Sequence, residues 1–281
     1  MKKILITGGS GFIGTELTKT LLEKGHEVAI ADIKESSIEG TSYIFCDILD
    51  SYQVEDAVQG KDLVYHLAAN PNPSLADKNP RWDLSVNVNG TLNVAQACRK
   101  YKTRMVFSSS AAVIYSPLSC YAISKNTAEK YILHKVSKKG LNASIVRFWN
   151  IYGPTQKLGF VIPDFFEKFL EYSEKMVIKG DGSDLRDYVY IDDAIEALQL
   201  VAEKGQPGII YEIGTGRQIS TYELALLIQK ILGANKPIET SKPRKEDVKK
   251  FYQDLEPISK LGWIPKYSLE DGLKKIGVGK W

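Results

Sequence analysis

The feature that most restricts the fold of this chain is a glycine-rich turn between a short apolar run and a helical pattern. The turn reads TGGSGFIG at residues 7–14, after KKILIT and before FIGTELTKTLLEKG. Glycines in a strand–turn–helix unit allow positive φ and bring the backbone close to a pyrophosphate, which the helix N-terminus attracts. By itself the motif also fits a purely structural turn. Two related spacings are present, G-x-G-x-x-G at Gly9, Gly11 and Gly14, and G-x-x-G-x-x-G at Gly8, Gly11 and Gly14.

An acidic residue ends the second predicted strand, EVAIAD, whose last residue is Asp32. In a dinucleotide-binding unit, a carboxylate at about this distance from the glycines accepts a ribose 2′-hydroxyl and repels a 2′-phosphate. The turn and Asp32 together therefore predict a dinucleotide site that takes NAD rather than NADP. An aspartate that only ends a strand remains the alternative.

Short apolar runs alternate with helical patterns through the first half of the chain. After KKILIT the runs read EVAIAD, SYIFCDI, DLVYHLAA, RMVFSSS and ASIVRFWNIYG. Continuous apolar strands separated by helices are typical of a parallel sheet that is covered on both faces. We therefore predict an α/β fold with a doubly wound parallel sheet of the Rossmann type.

The second half of the chain is less regular. A helical pattern starts at Asp192, and a Ser-x-x-Glu capping box at Ser220 and Glu223 precedes another apolar helix. These segments predict a smaller α/β lobe built from the C-terminal part of the chain. We predict an NAD-binding domain formed by residues 1–152, to which residues 186–215 return. We predict a substrate-binding lobe formed by residues 153–185 and 216–281.

Composition argues against several other classes of protein. With 37 basic and 34 acidic residues the net charge is +3, which predicts neither a nucleic-acid partner nor an anionic membrane surface, although a local basic patch remains compatible. The apolar stretches are of strand length, so no signal peptide or membrane span is predicted. The three cysteines and three histidines have no disulfide or metal-ligand spacing. We expect a soluble cytoplasmic protein without a metal.

The stretch SSSAAVIYSPLSCYAISK, residues 108–125, carries the predicted chemistry. Tyr121 and Lys125 are four residues apart and therefore share one helical face. A neighbouring ammonium and a nicotinamide cation would both lower a tyrosine pKa from near 10, so that the phenol exchanges a proton with a substrate hydroxyl during hydride transfer. Ser110 could hold the same oxygen. This spacing also occurs by chance on exposed helices, but here it follows the fifth predicted strand, where a doubly wound sheet opens its ligand crevice.

With these residues the chain resembles the extended short-chain dehydrogenase/reductase family, in its NAD-dependent epimerase/dehydratase branch. The resemblance covers nearly the whole length and is carried by TGGSGFIG, Asp32, CDI at 46–48, HLAA at 66–69, NVNGT at 87–91, FSSS at 107–110, YAISK at 121–125, RFWNIYGP at 147–154 and RDYVYIDD at 186–193. It implies a catalytic trio of Ser110, Tyr121 and Lys125. The trio's Tyr121 and Lys125 also belong to the predicted cofactor site, with Gly8, Gly11, Phe12, Ile13, Gly14, Asp32, Ile33, Asp47, Ile48, Leu67, Ala68, Ala69, Asn87 and Ser108.

Within that branch the sequence is most similar to UDP-glucose 4-epimerases. Where dehydratases carry Thr-Asp-Glu and decarboxylases carry an acid, this chain has SSSAAV. The resemblance implies an isomerase that interconverts UDP-glucose and UDP-galactose through a 4-keto intermediate. A nucleotide-sugar reductase or dehydrogenase and a non-catalytic dinucleotide sensor remain alternatives. The residues implied to hold the nucleotide diphosphate sugar are Asn150, Arg186, Arg244 and Asp247, although the two arginines also fit surface ion pairs.

The chain departs from the family pattern at two places. Only ten residues, AAVIYSPLSC, separate Ser110 from Tyr121, where the family carries a longer segment beside the sugar pocket. Glu246 replaces the glycine that usually precedes the motif aspartate, Asp247. The short segment leaves the choice of sugar open, and the extra acid would weaken diphosphate binding unless it points away.

Two helical patterns, TLNVAQACRKY and NTAEKYILHKV, carry more apolar positions than one sheet face needs. In the family the corresponding helices pair across a homodimer, so the resemblance implies a homodimer here. Packing of both helices on the sheet alone is equally compatible with the pattern.

Overall fold

The computed structural model describes residues 1–115, 117, 119–172, 174–242 and 251–276. The described residues form two compact units. The first unit lies within Met1–Phe148, Ile195–Ile213 and Glu256–Trp263, and the second within Trp149–Ala194, Gly214–Leu255 and Ile264–Trp281.

A seven-stranded parallel sheet forms the centre of the first unit, which confirms the predicted α/β class. Its central strands are buried along their length because helices flank the sheet; Leu5, Ile6, Met105 and Phe107 have no exposed surface. In their order across the sheet the strands are β11 (Ile210–Ile213), β6 (Ala143–Phe148), β5 (Arg104–Ser110), β4 (Leu63–His66), β1 (Lys3–Thr7), β2 (Glu27–Asp32) and β3 (Ser42–Phe45).

The order of the strands indicates where a ligand would bind. From β1 the chain proceeds through β2 and β3 on one side, and then returns to add β4, β5 and β6 on the other. The direction of winding therefore reverses between β1 and β4, and ligands of open parallel sheets bind at the carboxyl ends of the strands beside such a reversal. The glycine turn follows β1 there, and HLAA overlaps the end of β4.

The helices of the first unit connect these strands. They include α5, which coincides with the predicted TLNVAQACRKY, and α6, which contains the predicted NTAEKYILHKV. Their bounds are α1 (Phe12–Glu23), α2 (Ser51–Val58), α3 (Pro73–Lys78), α4 (Pro80–Leu84), α5 (Thr91–Tyr101), α6 (Cys120–Lys139) and α10 (Glu256–Lys260), with a π-helical turn at Ser85–Gly90 and a 3₁₀ turn at Ala111–Tyr115. No helix among the described residues is long and apolar enough to cross a membrane.

The second unit contains short strand pairs and helices. The pairs are β7 (Asn150–Tyr152) with β10 (Tyr188–Tyr190), β9 (Leu185–Arg186) with β12 (Ile219–Ser220), and β8 (Met176–Ile178) with β13 (Ile238–Thr240). The helices are α7 (Val161–Leu170), α9 (Thr221–Leu232) and α11 (Leu269–Ile276), and α8 (Ile191–Lys204) begins here one residue before the predicted start. The predicted capping box is present at the start of α9, where Ser220 Oγ accepts the Glu223 N–H at 3.1 Å and Glu223 Oε2 accepts the Ser220 N–H at 2.8 Å.

The predicted strand ASIVRFWNIYG divides at Trp149. Its first part is β6 of the large sheet, and its second part is β7, which pairs with β10. The bounds of the two units therefore differ from the predicted ones, since residues 149–152, 186–194 and 214–215 belong to the second unit and residues 256–263 to the first. The roles predicted for the two units, cofactor binding and substrate binding, stay predictions.

A buried ion-pair cluster ties α6 to the sheet of the first unit. The guanidinium of Arg147, on β6, meets both oxygens of Glu129, on α6, at 2.9 and 2.7 Å, and lies 3.4 Å from Glu212 of β11. The Glu129 side chain is only 2% exposed. A fork of two parallel N–H···O bonds fixes geometry as well as charge, so the cluster fixes the middle of α6 against β6.

Glu129→Ala is expected to lower the free energy of unfolding by about 3 kcal/mol, since Arg147 loses its two-pronged contact and keeps only the longer pair with Glu212. Urea denaturation followed by circular dichroism measures the loss. Glu55→Ala is the matched control, because Glu55 pairs with Lys100 on the surface at 2.6 Å and should cost less than about 1 kcal/mol. Equal losses in the two variants would contradict a structural role for the cluster.

Candidate active site

The glycine turn after β1 has the close approach that its spacing predicted. Gly8 has φ +73°, and a Cβ there would lie 2.6 Å from the Ala68 nitrogen. A Cβ on Gly14 would lie 2.5 Å from the Gly8 oxygen. Both distances are shorter than any real Cβ contact, so a side chain at either position would displace backbone. The turn is therefore packed directly on the segment that follows β4.

The N-terminus of α1 is open to an anion. Helix α1 begins at Phe12 after Gly11, without a side-chain cap and without an acidic residue in its first turn. The Gly11 N–H donates to the Gly8 oxygen at 3.1 Å, which closes the turn in front of the helix. Uncapped N–H groups and the positive end of the helix dipole favour a phosphate here. The glycine turn and the N-terminus of α1 therefore fit the pyrophosphate of a dinucleotide.

Asp32 lies beside this turn at the end of β2. Its two carboxylate oxygens accept the N–H of Ser10, at 3.1 Å, and the N–H of Lys34, at 3.0 Å. The Ser10 hydroxyl in turn donates to the Lys34 carbonyl at 2.8 Å. The structure thus brings the turn and the predicted ribose-binding carboxylate together, and a fixed carboxylate can still accept ribose hydroxyls through its remaining lone pairs.

Most of the other predicted cofactor residues of the first unit lie at or after the carboxyl ends of neighbouring strands. Ile48, which follows β3, is 5% exposed and packs where a Cβ on Gly90 would lie 2.5 Å from its Cδ1. Asp47 accepts the Leu49 N–H at 2.9 Å, so part of its carboxylate is used within its own turn. The remaining positions are Phe12, Ile13 and Gly14 in α1, Ile33 after β2, Leu67, Ala68 and Ala69 after β4, Asn87 in the π-helical turn and Ser108 in β5.

The predicted catalytic trio is assembled within the first unit. Ser110 is the last residue of β5, Tyr121 lies in the first turn of α6, and Lys125 lies one turn further along. Ser119 begins the helix by accepting the Ala122 N–H on its hydroxyl at 3.1 Å. The Ser110 side chain lies close enough to Tyr121 to lower the pKa of the phenol. The ten-residue connection is therefore long enough to bring these two hydroxyls together.

Tyr121 has a raised rather than a lowered pKa. Burial raises the pKa of the phenol, its hydrogen bond with Ser110 opposes this, and the charge of Asp83 adds to the increase. The sequence analysis expected Lys125 and a bound nicotinamide to lower this pKa, whereas in the protein by itself desolvation of the phenolate is the largest effect. The phenol is therefore protonated at neutral pH in the protein by itself.

Lys125 is held as a buried cation. Its Nζ donates to the Ser108 carbonyl at 2.6 Å and lies 4.5 Å from the centre of the Phe107 ring, and the residue is 2% exposed. Burial lowers the pKa of the ammonium to about 8, while Glu129 and Asp83 act to raise it. At neutral pH the side chain is therefore mainly an ammonium, with its charge available to the site.

His66, which begins the HLAA motif and for which the sequence analysis predicted no metal-ligand role, is a buried part of the same region. It is fully buried, with Nδ1 2.7 Å from Thr7 Oγ1 and Nε2 3.0 Å from Thr91 Oγ1. Burial lowers the pKa of the imidazole to about 3, and Lys125 acts in the same direction. His66 is neutral at physiological pH, so it links β4 to β1 and α5 rather than exchanging protons.

Sequence reasoning missed a buried polar network around Asn87. Asn87 donates to Asp83 Oδ1 at 2.8 Å and to Ser124 Oγ at 3.1 Å, and its own Oδ1 accepts the Asn70 N–H at 2.8 Å. Only Asn87 had been singled out, through NVNGT. Asp83 and Asn70 carry no motif, and a buried aspartate on a short helix is visible only in three dimensions. Within the described residues no group of His, Cys, Asp and Glu side chains could hold a metal ion.

The predicted substrate residues of the second unit are engaged in local contacts. The Asn150 amide donates to the Asp187 carbonyl at 2.9 Å. The Arg186 guanidinium donates to Asp184 Oδ1 at 2.7 Å and to the Leu185 carbonyl at 2.8 Å. This ion pair is the alternative use considered for Arg186, and an arginine has further N–H donors for a phosphate. Arg244 and Asp247, with Glu246, lie outside the described residues.

Comparison with known proteins identifies the family and its fold. Residues 4–214 match the model of the NAD dependent epimerase/dehydratase family. The chain belongs to this family. A crystal structure of the UDP-glucose 4-epimerase of Thermotoga maritima with UDP-glucose superimposes with a TM-score of 0.91 at 33% identity, covering 98% of this chain and 97% of that one.

Two further relatives define what is shared. The Thermus thermophilus UDP-glucose 4-epimerase, solved in complex with NAD, has a TM-score of 0.89 at 28% identity and covers 98% of this chain and 97% of its own. The UDP-N-acetyl-alpha-D-glucosaminuronate decarboxylase of Bacillus cytotoxicus is 30% identical over 98% of this chain and 96% of its own. Membership of the NAD-dependent family confirms the predicted cofactor. The family's reactions, however, include both epimerisation and decarboxylation.

Proposed function

We propose that this member of the family is an NAD-dependent nucleotide-sugar 4-epimerase that interconverts UDP-glucose and UDP-galactose. The observation that carries the proposal is the assembled trio of Ser110, Tyr121 and Lys125 after β5. Between Ser108 and Tyr121 the chain carries no acidic residue. Loss of water or of carboxylate would call for an acid or base beyond Tyr121, which this stretch does not provide.

The proposed reaction removes a hydride and a proton from one carbon–oxygen unit of the sugar and then restores them. NAD supplies the hydride acceptor and donor. Tyr121 takes the proton of the sugar 4-hydroxyl as C4 becomes a ketone, and gives it back to the same oxygen when the hydride returns to the opposite face. Ser110 holds this oxygen by a hydrogen bond. Atoms and electrons balance over one cycle, so no cofactor is consumed.

Lys125 contributes charge to this step. A hydrogen bond to the Ser108 carbonyl fixes its ammonium, which α6 carries one turn beyond Tyr121, and a positive charge near the phenol favours the phenolate. The positive nicotinamide of the oxidised cofactor acts in the same direction. Proton removal is thereby coupled to the arrival of oxidised cofactor, because burial alone leaves the phenol protonated.

The nucleotide-sugar is proposed to be held by the second unit, through Asn150 and Arg186 and through Arg244 and Asp247. The two relatives solved with UDP-glucose or named as UDP-glucose 4-epimerases support this class of substrate. Light scattering of the purified protein tests the homodimer that the sequence predicts. The cytoplasmic location also stays a prediction.

Proton NMR of the purified protein with NAD⁺ and UDP-galactose tests the proposal. Appearance of the anomeric signal of UDP-glucose, without net NADH, is the expected result. Net NADH at 340 nm would instead indicate a nucleotide-sugar dehydrogenase. The same spectra recorded with UDP-N-acetylhexosamines and UDP-uronic acids determine whether the short segment before Tyr121 selects another sugar. No conversion of any of them, with NAD bound, would contradict the proposed function.

A further inference from the structure

Asp83, on α4, is a buried carboxylate without a cationic partner among the described residues. The residue is 1% exposed. Its Oδ1 accepts the side-chain N–H groups of Asn70 and Asn87, each at 2.8 Å. Its Oδ2 is buried and has no hydrogen-bond partner within the described part of the chain. Burying a carboxylate that only two amide groups stabilise, without a cation, costs free energy. A functional role would explain why the folded protein keeps such a group.

The carboxylate is connected to the backbone of the catalytic tyrosine. Asn87, held by Asp83, donates to Ser124 Oγ at 3.1 Å, and the Ser124 hydroxyl donates to the Tyr121 carbonyl at 3.0 Å. Asn70 closes the network from the other side by donating its N–H to Asn87 Oδ1 at 2.8 Å. Three hydrogen bonds therefore lead from Asp83 to the first turn of α6, and each of their groups is buried or nearly so.

Asp83 differs from the other groups around Lys125 in how its charge is compensated. Glu129, the other carboxylate that acts on Lys125, is neutralised by the two-pronged contact with Arg147. His66 is neutral because of its burial. The titratable groups that interact electrostatically with Lys125 are thus His66 from β4, Asp83 from α4 and Glu129 from its own helix. Asp83 is the carboxylate among them that has no arginine or lysine to share its charge.

We propose that Asp83 is a positioning residue of the active site, which orients Asn87 through Oδ1 and stabilises the buried ammonium of Lys125 through its negative charge. The inference deepens the proposed function and rests on it for the part that Lys125 plays in the reaction. The electrostatic direction agrees with the geometry, since Asp83 raises the pKa of Lys125 against the effect of burial. It also raises the pKa of Tyr121.

Asp83→Asn separates the charge from the hydrogen bond, because an amide oxygen still accepts from Asn70 and Asn87. The titration of Lys125 is followed by ¹H–¹³C NMR of protein carrying ¹³C-labelled lysine, with the Cε signal assigned by its loss in Lys125→Met. The midpoint is expected to fall by about half a pH unit or more in Asp83→Asn, since a nearby negative charge no longer favours the ammonium. Asp56→Asn, on the exposed face of α2, is the matched control and should leave it unchanged.

The pH profile of turnover gives a second readout that a merely structural role would not move. Because Asp83 raises both the Tyr121 and the Lys125 pKa, both limbs of the profile are expected to move to lower pH in Asp83→Asn. The proposal would be overturned if only the maximal turnover fell, while the two limbs of the profile and the midpoint of the Lys125 titration stayed unchanged. The lysine titration needs no turnover, so it decides this inference even if no nucleotide sugar is converted and the proposed function fails.

A measurement on the unmutated protein keeps the test independent of whether Asp83→Asn folds. The ¹³Cγ shift of Asp83, in protein labelled at aspartate, reports its ionisation directly. An ionised carboxylate throughout pH 6–9 supports the proposal. A protonated Asp83 at pH 7 would overturn it, because a neutral carboxyl group cannot stabilise the ammonium by charge.

Discussion

Tyr121→Phe is expected to lower turnover at least about 10³-fold while leaving NAD affinity within about twofold of the unmutated protein. Proton transfer by a positioned side chain typically contributes 10²- to 10⁴-fold, and this variant removes the only atom of the residue that can carry the proton. The ring itself is kept, so the packing of the first turn of α6 is preserved. Turnover is measured by NMR and NAD binding by isothermal titration calorimetry.

Tyr131→Phe is the matched control for this prediction. Tyr131 lies on the same helix, and its side chain is 48% exposed. Its loss of a hydroxyl should change neither turnover nor NAD binding. If Tyr121→Phe kept more than about a tenth of the turnover, the phenol would not be the proton-transferring group. If it lost NAD as well, the effect would be on binding rather than on chemistry.

Gly8→Ala is expected to disrupt the cofactor site strongly. Gly8 has φ +73°, and the added Cβ would lie 2.6 and 2.7 Å from backbone atoms of Ala68. Backbone cannot move aside as the end of a flexible side chain can, so the turn and the segment after β4 must separate. We expect NAD affinity to fall more than about tenfold and the free energy of unfolding to fall by about 2–4 kcal/mol.

Gly25→Ala is the control that separates the effect of backbone strain from the effect of close contacts with the added methyl group. Gly25 has nearly the same backbone angle, φ +74°, but a Cβ there would meet no atom within 4 Å. This control should cost only about 1 kcal/mol, which is the conformational penalty of a left-handed alanine. Urea denaturation and NAD titration of the two variants make the comparison. Similar behaviour of both variants would mean that the close approach at Gly8 does not matter for the site.

The parts of this protein that are local in sequence could be predicted, because short-range physical chemistry determines them. The parallel sheet follows from the continuous apolar runs, and the glycine turn from its spacing. The capping box at Ser220 and Glu223 was predicted to the residue. Ser110 ends β5, and Tyr121 and Lys125 lie one turn apart on α6, as the motif spacing predicted, while their catalytic role stays a prediction.

The parts that depend on contacts distant in sequence could not be predicted. The run ASIVRFWNIYG looks like one strand, yet it divides at Trp149, because its second half pairs with a strand almost forty residues further along the chain. Asp83 sits on a five-residue helix, and no pattern around it indicates burial. The raised pKa of Tyr121 in the protein by itself could not be predicted either, because the sequence reveals the neighbouring lysine but not the desolvation of the phenol.

One isotope experiment tests the central claim most directly. UDP-galactose carrying deuterium at C4 is incubated with the protein and NAD⁺, and the product is examined by NMR and mass spectrometry. The account predicts UDP-glucose that keeps the deuterium at C4, because the hydride that leaves this carbon is the one that returns to it. Deuterium recovered in free reduced cofactor, or UDP-glucose that has lost its deuterium, would contradict a 4-epimerase that works through a 4-keto sugar.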